Sequence, residues 1–365
     1  MKTIHLYIFG LGNVGSKLIQ QVLESHEFFK KQQHLELRIV GLANSRRVYT
    51  TSRGITADWK NEFAKHSQVR EEKSFYEFSE DYQVPKIAID ATASKELSKF
   101  YPEIAGQGFH IVTANKIANT LSQDFYDQLR VVLNSQNLKF EYETNVGAGL
   151  PIVQTVRDLY HSGEQIFAIN GVFSGSLGYI FNRYSQEDVP FSQVVKDALQ
   201  NGYTEPDPRE DLSGNDVARK LLVLAREAGL KLEFEDIDVE NLVVPQLQTY
   251  SLNQFLTELS SLDEQMQQRK NDLKPNEVLR HLGQLDVRNQ TLTVSLQAVS
   301  KDSPAGQLQG SDGFFEIYSE SYAKEPLVIK GAGAGREVTA RGLLSDIIKI
   351  GRSLKQQPVP QFCVN

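Results

Sequence analysis

The chain has 365 residues, 40% hydrophobic and 23% charged, with a formal net charge of −7; that length allows two packed domains, and the balance is that of a globular rather than a disordered chain. The acidic excess leaves no basic field for a nucleic-acid backbone, and no apolar run of about eighteen residues is present to span a bilayer, so neither nucleic acid nor membrane is expected as a partner. The one cysteine, Cys363, gives neither a disulfide framework nor a cysteine metal cluster, and no signal or transit pattern opens the chain, which points to the cytoplasm.

Residues 3–9 are an apolar run with aromatic and β-branched content, ended by glycines, and read as a buried strand. Gly10-Leu11-Gly12-Asn13-Val14-Gly15 follows, and then Leu18, Ile19, Val22 and Leu23 recur at helical spacing. A strand over residues 35–42 completes a β-loop-α-β opening, which implies a parallel sheet. A lone GxGxxG is weak, but its place between strand and helix is informative. Gly10 permits the tight turn, Gly12 lets the backbone approach a pyrophosphate, and Gly15 lets helix and strand pack closely. The N–H groups of the helix start and its dipole favour phosphate, so Gly10, Gly12, Asn13, Val14 and Gly15 are assigned to a dinucleotide. After the second strand, where NAD-selective folds carry an acid for the ribose 2'-hydroxyl, this chain has Asn44-Ser45-Arg46-Arg47. No carboxylate repels a 2'-phosphate there and two arginines can attract one, so NADP is accepted, with NAD as the alternative. Arginines that are simply solvated remain the plainer reading.

Strands are expected over residues 87–90 and 110–113, with a helix over 96–105 between them, and the alternation runs to about Tyr142. Asp90-Ala91-Thr92-Ala93 follows a strand, as cofactor-lining residues in such a fold do. Small residues and a proline over 145–151 interrupt any periodic element. Beyond them come a helix over 152–160, a strand over 166–173, and a mixed order of elements that includes a strand over 291–296. The polar stretch 258–276 reads as a solvated helix face. Near the end, Lys330-Gly331-Ala332-Gly333-Ala334-Gly335 resembles a second glycine loop opening a helix, with Val338, Leu343, Leu344, Ile347 and Ile348 at helical spacing. The expected fold is therefore α/β: a Rossmann-type dinucleotide-binding domain, residues 1–144 plus 333–365, with a second α+β domain over 145–332 for substrate and dimerisation.

The segment from Gly202 to Lys220 carries the most chemistry. Pro206 and Pro208 stiffen a loop with several carboxylates, and Ser213 or Asn215 can cap the helix that follows. On that helix Asp216 and Lys220 are four apart and share a face. An exposed i,i+4 ion pair is the bland reading, and the acidic, proline-braced loop argues against it.

With Gly202 to Lys220, Phe173-Ser174-Gly175-Ser176-Leu177-Gly178-Tyr179-Ile180-Phe181-Asn182, Thr113-Ala114-Asn115-Lys116 and Gly331 to Gly342, the sequence resembles homoserine dehydrogenase. The motifs occur in the family's order across nearly the whole chain. Their likeness is greatest to the dehydrogenase half of fused aspartate kinase/homoserine dehydrogenases. A chain of this length is expected to be monofunctional and without a regulatory domain for threonine.

The resemblance implies NAD(P)-linked interconversion of L-aspartate 4-semialdehyde and L-homoserine, serving threonine, methionine and isoleucine synthesis, in a homodimer. Hydride reaching an aldehyde carbon leaves charge on oxygen, so a cation able to donate a proton belongs beside it. Lys220 is assigned as that acid, with Lys116 as the second lysine of the site, whose ammonium would lower the Lys220 pKa. Asp216 orients Lys220 or a water. Glu205 and Asp211 meet the substrate ammonium, joined by Tyr203 at the substrate. The substrate carboxylate is expected on N–H groups near Gly175 and Ser176, where a helix cap without ligand is the alternative. By resemblance Thr92, Ser94, Lys116, Gly202 and Gly335 line the cofactor. Main-chain carbonyls of Glu143, Val146, Ala148 and Leu150 would hold a monovalent cation, sodium in the family; read from its residues alone, that segment is only a glycine-rich hinge. Ala114 stands where many relatives carry proline, which affects loop stiffness and leaves Lys116 in register. The rival readings are another amino-acid or semialdehyde dehydrogenase on this scaffold and a non-catalytic dinucleotide sensor. The full carboxylate and lysine set speaks against both.

Overall fold

The computed structural model describes residues 1–70 and 84–354. Cys363, with the rest of 355–365 that was expected in the first domain, lies outside them. Two compact units are present: the first is Met1–Ala118, Asp127–Tyr142 and the chain from Thr339, the second Asn119–Tyr126 and Glu143–Val338. Among the described residues no helix is long and apolar enough to cross a membrane.

The first unit is built on a seven-stranded sheet in the order β4-β3-β2-β1-β5-β6-β7. Its strands are β1 (Lys2–Phe9), β2 (Leu35–Ala43), β3 (Arg47–Thr50), β4 (Gln68–Val69), β5 (Lys86–Asp90), β6 (Phe109–Thr113) and β7 (Phe140–Glu141). The run β2-β1-β5-β6-β7 is parallel, as the opening β-loop-α-β pattern requires, while β3 and β4 extend one edge antiparallel. Every side chain of β5 and β6 is buried, the mark of a parallel sheet covered on both faces. Leu18, Ile19 and Val22 of the helix Asn13–Glu24 share one core with Ile4, Leu6 and Ile8 of β1.

The helix Arg336–Ser353 supplies Leu343, Leu344, Ile347 and Ile350 to that same core. It approaches β1 and β2 so closely that a Cβ on Gly351 would lie 2.8 Å from Ile4 Cδ1 and 3.0 Å from Leu35 Cδ1. The single helix expected over 96–105 is instead two, Lys95–Lys99 and Tyr101–Gly106. Pro102 has no N–H to continue the first helix and is well suited to start the second.

The second unit is a mixed sheet in the order β13-β12-β8-β10-β11-β9, antiparallel except where β9 joins β11. It comprises β8 (Ile166–Val172), β9 (Ile237–Val239), β10 (Glu277–Asp286), β11 (Thr291–Ser300), β12 (Asp312–Ser319) and β13 (Leu327–Ala332). Gly171 and Gly283 face each other in register, and a Cβ on Gly283 would come within 2.8 Å of the Phe173 ring. Phe173 thus seats over two residues without side chains and meets Phe315 edge-on at 5.0 Å. The chain leaves β8 at this anchored point and enters the helix Gly175–Gln186.

The glycine run near the end is a loop only in part. Lys330-Gly331-Ala332 belongs to β13, and only residues 333–335 turn into the helix. Here the glycines serve close packing, since a Cβ on Gly333 would sit 2.9 Å from Gly313 Cα and one on Gly331 3.0 Å from Leu150 Cδ2. The polar stretch contains the helix Asp263–Asn271, of whose residues only Met266 is buried.

Candidate active site

In the first unit, four loops at the C-terminal ends of parallel strands carry the residues assigned to the dinucleotide. Gly10 has φ of +95°, and a Cβ there would lie 2.6 Å from Ala91 O. A Cβ on Gly15 would lie 1.8 Å from Gly10 O, so the helix Asn13–Glu24 starts hard against the turn. A Cβ on Gly12 would meet nothing within 4 Å, which leaves a bare backbone open to a ligand. No side chain caps this helix start, so the first-turn N–H groups around Asn13 and Val14 suit a pyrophosphate.

Beyond β2, Asn44 Oδ1 accepts from the N–H groups of Arg46 and Arg47, both at 2.8 Å, folding the turn on itself around Ser45. Arg47 is spent on Ser67, whose Oγ accepts from its Nε at 2.7 Å, while the Arg46 side chain is exposed. The two arginines therefore differ in availability. Arg70, not singled out in the sequence, donates to Asn44 O at 2.9 Å. After β5, Thr92 Oγ1 accepts from Ser94 N–H at 3.0 Å, and Ser94 caps the helix Lys95–Lys99. Lys116, half-buried, lies in the loop that leaves β6.

The second unit holds the proposed substrate residues, together with Gly202 and Gly335. Lys220 and Asp216 lie on the helix Asn215–Glu227, with Lys220 Nζ 2.7 Å from Asp216 Oδ2. The Lys220 side chain is 14% exposed and that of Asp216 48%, and Lys220 Nζ also donates to Phe173 O at 2.8 Å. That third partner separates the pair from a surface i,i+4 bridge. It brings the ammonium beside the start of the helix Gly175–Gln186, where Ser174 Oγ accepts from Leu177 N–H at 3.2 Å.

Asp211 ties the neighbouring groups together: Oδ1 accepts from Ser176 Oγ at 2.6 Å and Oδ2 from Glu205 N–H at 2.8 Å. Burial pushes its carboxyl above the usual range, and the nearby Asp216 and Glu210 carboxylates add to that, while the two hydrogen bonds oppose it. Tyr203 stacks on Tyr179 with centroids 3.8 Å apart, and Arg183 Nη1 donates to Tyr179 Oη at 3.3 Å. Gly202 ends the helix Phe191–Gln200 in a left-handed turn, with Gly202 N–H on Leu199 O and Tyr203 N–H on Ala198 O. That is a Schellman closure, a complete structural reason for this glycine. Gly335, at φ of +121°, lies in the turn before the last helix.

Sequence reasoning missed two supports here. Arg209 holds Asp207 at 2.6 Å and reaches the carbonyls of Leu247, Gln248 and Tyr250, so it braces the acidic loop from outside. Its guanidinium keeps the Asp207 carboxyl below the usual range. The Phe173 carbonyl, as a main-chain atom, has no sequence signature; the Asp207-Pro208-Arg209 spacing could have revealed the other.

At the expected cation segment, Glu143 turns its carboxylate onto the start of the helix Ile152–His161, with Oε1 accepting from Val153 N–H at 2.7 Å. Gly147 and Ala148 are both left-handed, at φ of +71° and +55°. Among the described residues no group of three or more His, Cys, Asp or Glu could hold a metal ion.

Comparison with known proteins places the chain. A family profile described as "Homoserine dehydrogenase, NAD binding domain" matches residues 10–143, and one described as "Homoserine dehydrogenase" matches residues 151–348. The chain is 38% identical over 357 residues to the chloroplastic bifunctional aspartokinase/homoserine dehydrogenase 2 of Zea mays, covering 96% of this chain and 39% of that one. It thus spans about two fifths of the length of the first curated relatives it matches. Among solved structures, a protein of unknown function from Candida auris superposes with a TM-score of 0.89 at 34% identity, covering 97% of this chain and 99% of that one. A hyperthermophilic archaeal homoserine dehydrogenase in complex with NADPH shares the fold with a TM-score of 0.73 at 22% identity, covering 97% and 99%. With both units matched in order by the two halves of one family, the chain belongs to the homoserine dehydrogenases.

Proposed function

We propose that this protein reduces L-aspartate 4-semialdehyde to L-homoserine with NADPH, and runs the reverse oxidation, in the synthesis of threonine, methionine and isoleucine. The observation that carries the reading is the double hold on Lys220. An ammonium has three N–H bonds; Phe173 O and Asp216 Oδ2 take two. The third is left to donate to the aldehyde oxygen.

When bound, the dinucleotide supplies the hydride that reaches the aldehyde carbon. As charge develops on oxygen, Lys220 Nζ gives up a proton and the hydroxyl forms; in the oxidation the neutral amine takes that proton back. Asp216 fixes the direction of the ammonium. Glu205 and Asp211, the latter held by Ser176 and Glu205 N–H, receive the substrate ammonium beside Tyr203. The N–H groups of Gly175 and Ser176 at the helix start receive its carboxylate. Lys116 is the second cation of the reaction. Thr92, Ser94, Gly202 and Gly335 line the cofactor, with the Gly10 to Gly15 loop on the pyrophosphate and Asn44, Ser45 and Arg46 at the ribose; NADP is the preferred form because Arg46 is the available cation.

Sodium would sit on the carbonyls of Glu143, Val146, Ala148 and Leu150. A cytoplasmic homodimer completes the reading. Support for the dimer is a row of half-buried polar side chains, Glu316, Asn170, Gln284 and Thr293, in register across four strands of the second sheet. The test follows NADPH absorbance with L-aspartate 4-semialdehyde. Turnover is expected, with light scattering giving twice the chain mass and sodium raising the rate over a bulky organic cation; no turnover by the parent protein removes the function.

A further inference from the structure

Asp90, the last residue of β5, is 2% exposed. Its carboxylate is held by neutral donors: Thr92 N–H on Oδ1 at 2.7 Å, and on Oδ2 the Tyr101 hydroxyl at 2.7 Å and Asn115 Nδ2 at 3.1 Å. Burying a carboxyl in this way is costly, and packing alone would be served better by an apolar side chain. The donors explain what it is for. Thr92 lies in the loop after β5 and Asn115 in the loop after β6, two adjacent parallel strands.

Asn115 extends the link. Its Nδ2 also donates to Ser94 O at 2.9 Å, its Oδ1 accepts from Ile117 N–H at 3.1 Å, and its own N–H donates to Thr113 Oγ1 at 2.9 Å. Lys116 is therefore held through the residue on either side of it, by the side chain that also fixes the Thr92–Ser94 loop. The glycine loop closes on the same place, since a Cβ on Gly10 would lie 2.8 Å from Thr92 Cγ2.

We infer that Asp90 and Asn115 are a positioning pair that sets the loop of Thr92 and Ser94 against the loop of Lys116, and so shapes the nicotinamide end of the cofactor site. The inference rests on the assignment of these loops to the dinucleotide. Neither residue takes part in the chemistry.

The test is NADPH titration by fluorescence in the parent protein and three variants, with the thermal midpoint of each. Asn115→Ala removes the link from one loop, and Asp90→Asn turns an N–H against Asn115 Nδ2 while keeping the volume. Each is expected to weaken NADPH binding about tenfold, the effect of one charge-assisted hydrogen bond. Tyr101→Phe strips a donor from the same carboxylate and a partner from Thr113 Oγ1, 2.8 Å away at the end of β6, but removes no bond made by Thr92 or by the Asn115 side chain. It is expected to lower the thermal midpoint as much, yet leave NADPH affinity within about twofold. Affinity unchanged in Asn115→Ala or Asp90→Asn overturns the inference, as does affinity that falls in all three variants in step with the midpoint. Selective weakening without turnover of the semialdehyde by the parent would sink the proposed reaction and leave the pair standing.

Discussion

Replacing Lys220 separates its chemical role from its structural one. The structural share follows from its contacts. Asp216 is 48% exposed, so its ion pair with Lys220 contributes under about 1 kcal/mol. Phe173 O loses its donor in Lys220→Ala, at a cost of about 1–3 kcal/mol. A drop of about 2 kcal/mol against a typical stability of 5–15 kcal/mol leaves the variant folded at 25 °C. The chemical share is larger, since a positioned general acid contributes about 10²–10⁴ in rate. Stopped-time assays of NADPH oxidation by Lys220→Ala, beside a thermal melt, should give kcat down at least a hundredfold with the folded fraction intact. Lys220→Arg sharpens the contrast: it keeps the charge and the ion pair but scarcely gives up a proton, so its melt should match the parent while kcat stays low. An Arg variant that turns over within tenfold of the parent would refute the proton-transfer role and leave only a charge at that position.

The glycine loop offers a paired experiment. Gly15→Ala puts a Cβ 1.8 Å from Gly10 O and should destabilise the first unit, whereas Gly12→Ala meets open space and should melt like the parent yet bind NADPH poorly by fluorescence titration. Arg46→Ala should raise KM for NADPH about tenfold and leave KM for NADH unchanged, as expected for loss of one exposed phosphate partner; equal changes for both coenzymes would assign Arg46 no 2'-phosphate role. Acid stability is set in part by His281, whose pKa is pushed down to about 4 by burial, with Glu240 opposing, and whose ring nitrogens both find no hydrogen-bond partner among the described residues. Its folded pKa lies below the unfolded one, so the unfolded chain binds the extra proton and stability falls as pH drops from about 6.5 to 4, by about 3 kcal/mol from this group. Denaturant melts of His281→Leu should show a shallower decline over that window, and an identical slope would refute the assignment.

What could be read in advance follows the range of the interactions. The Gly10 to Gly15 loop was legible because strand, turn and helix are contiguous and each glycine has a local reason. The shared face of Asp216 and Lys220 was legible from helical spacing. The split of 96–105 is also written locally, in Pro102, which cannot continue a helix that begins before it. The two-residue β4 and β7 carry too few side chains for any period to register. The contacts that place Lys220 and Asp211 join residues 47 and 35 positions apart, and one of them ends on a main-chain oxygen. Residue type gives no hint of such a partner. Gly202 shows two reasons meeting at one residue: the turn it closes accounts for the glycine by backbone geometry, and the family position adds the cofactor role proposed above.

The core shared by β1 and the last helix bears on how the chain is made. Lys2 Nζ donates to Gly351 O, 349 positions away, and Ile4 packs where Gly351 allows the helix to close in. A ribosome adding about 5–20 residues per second takes tens of seconds to travel between them. During that interval β1 must wait with part of its apolar surface uncovered, while Glu143–Val338 emerges as one unbroken stretch and can fold first. The first unit to be synthesised is therefore the last to be completed, and a stall or cut in the final helix would leave its sheet open to aggregation.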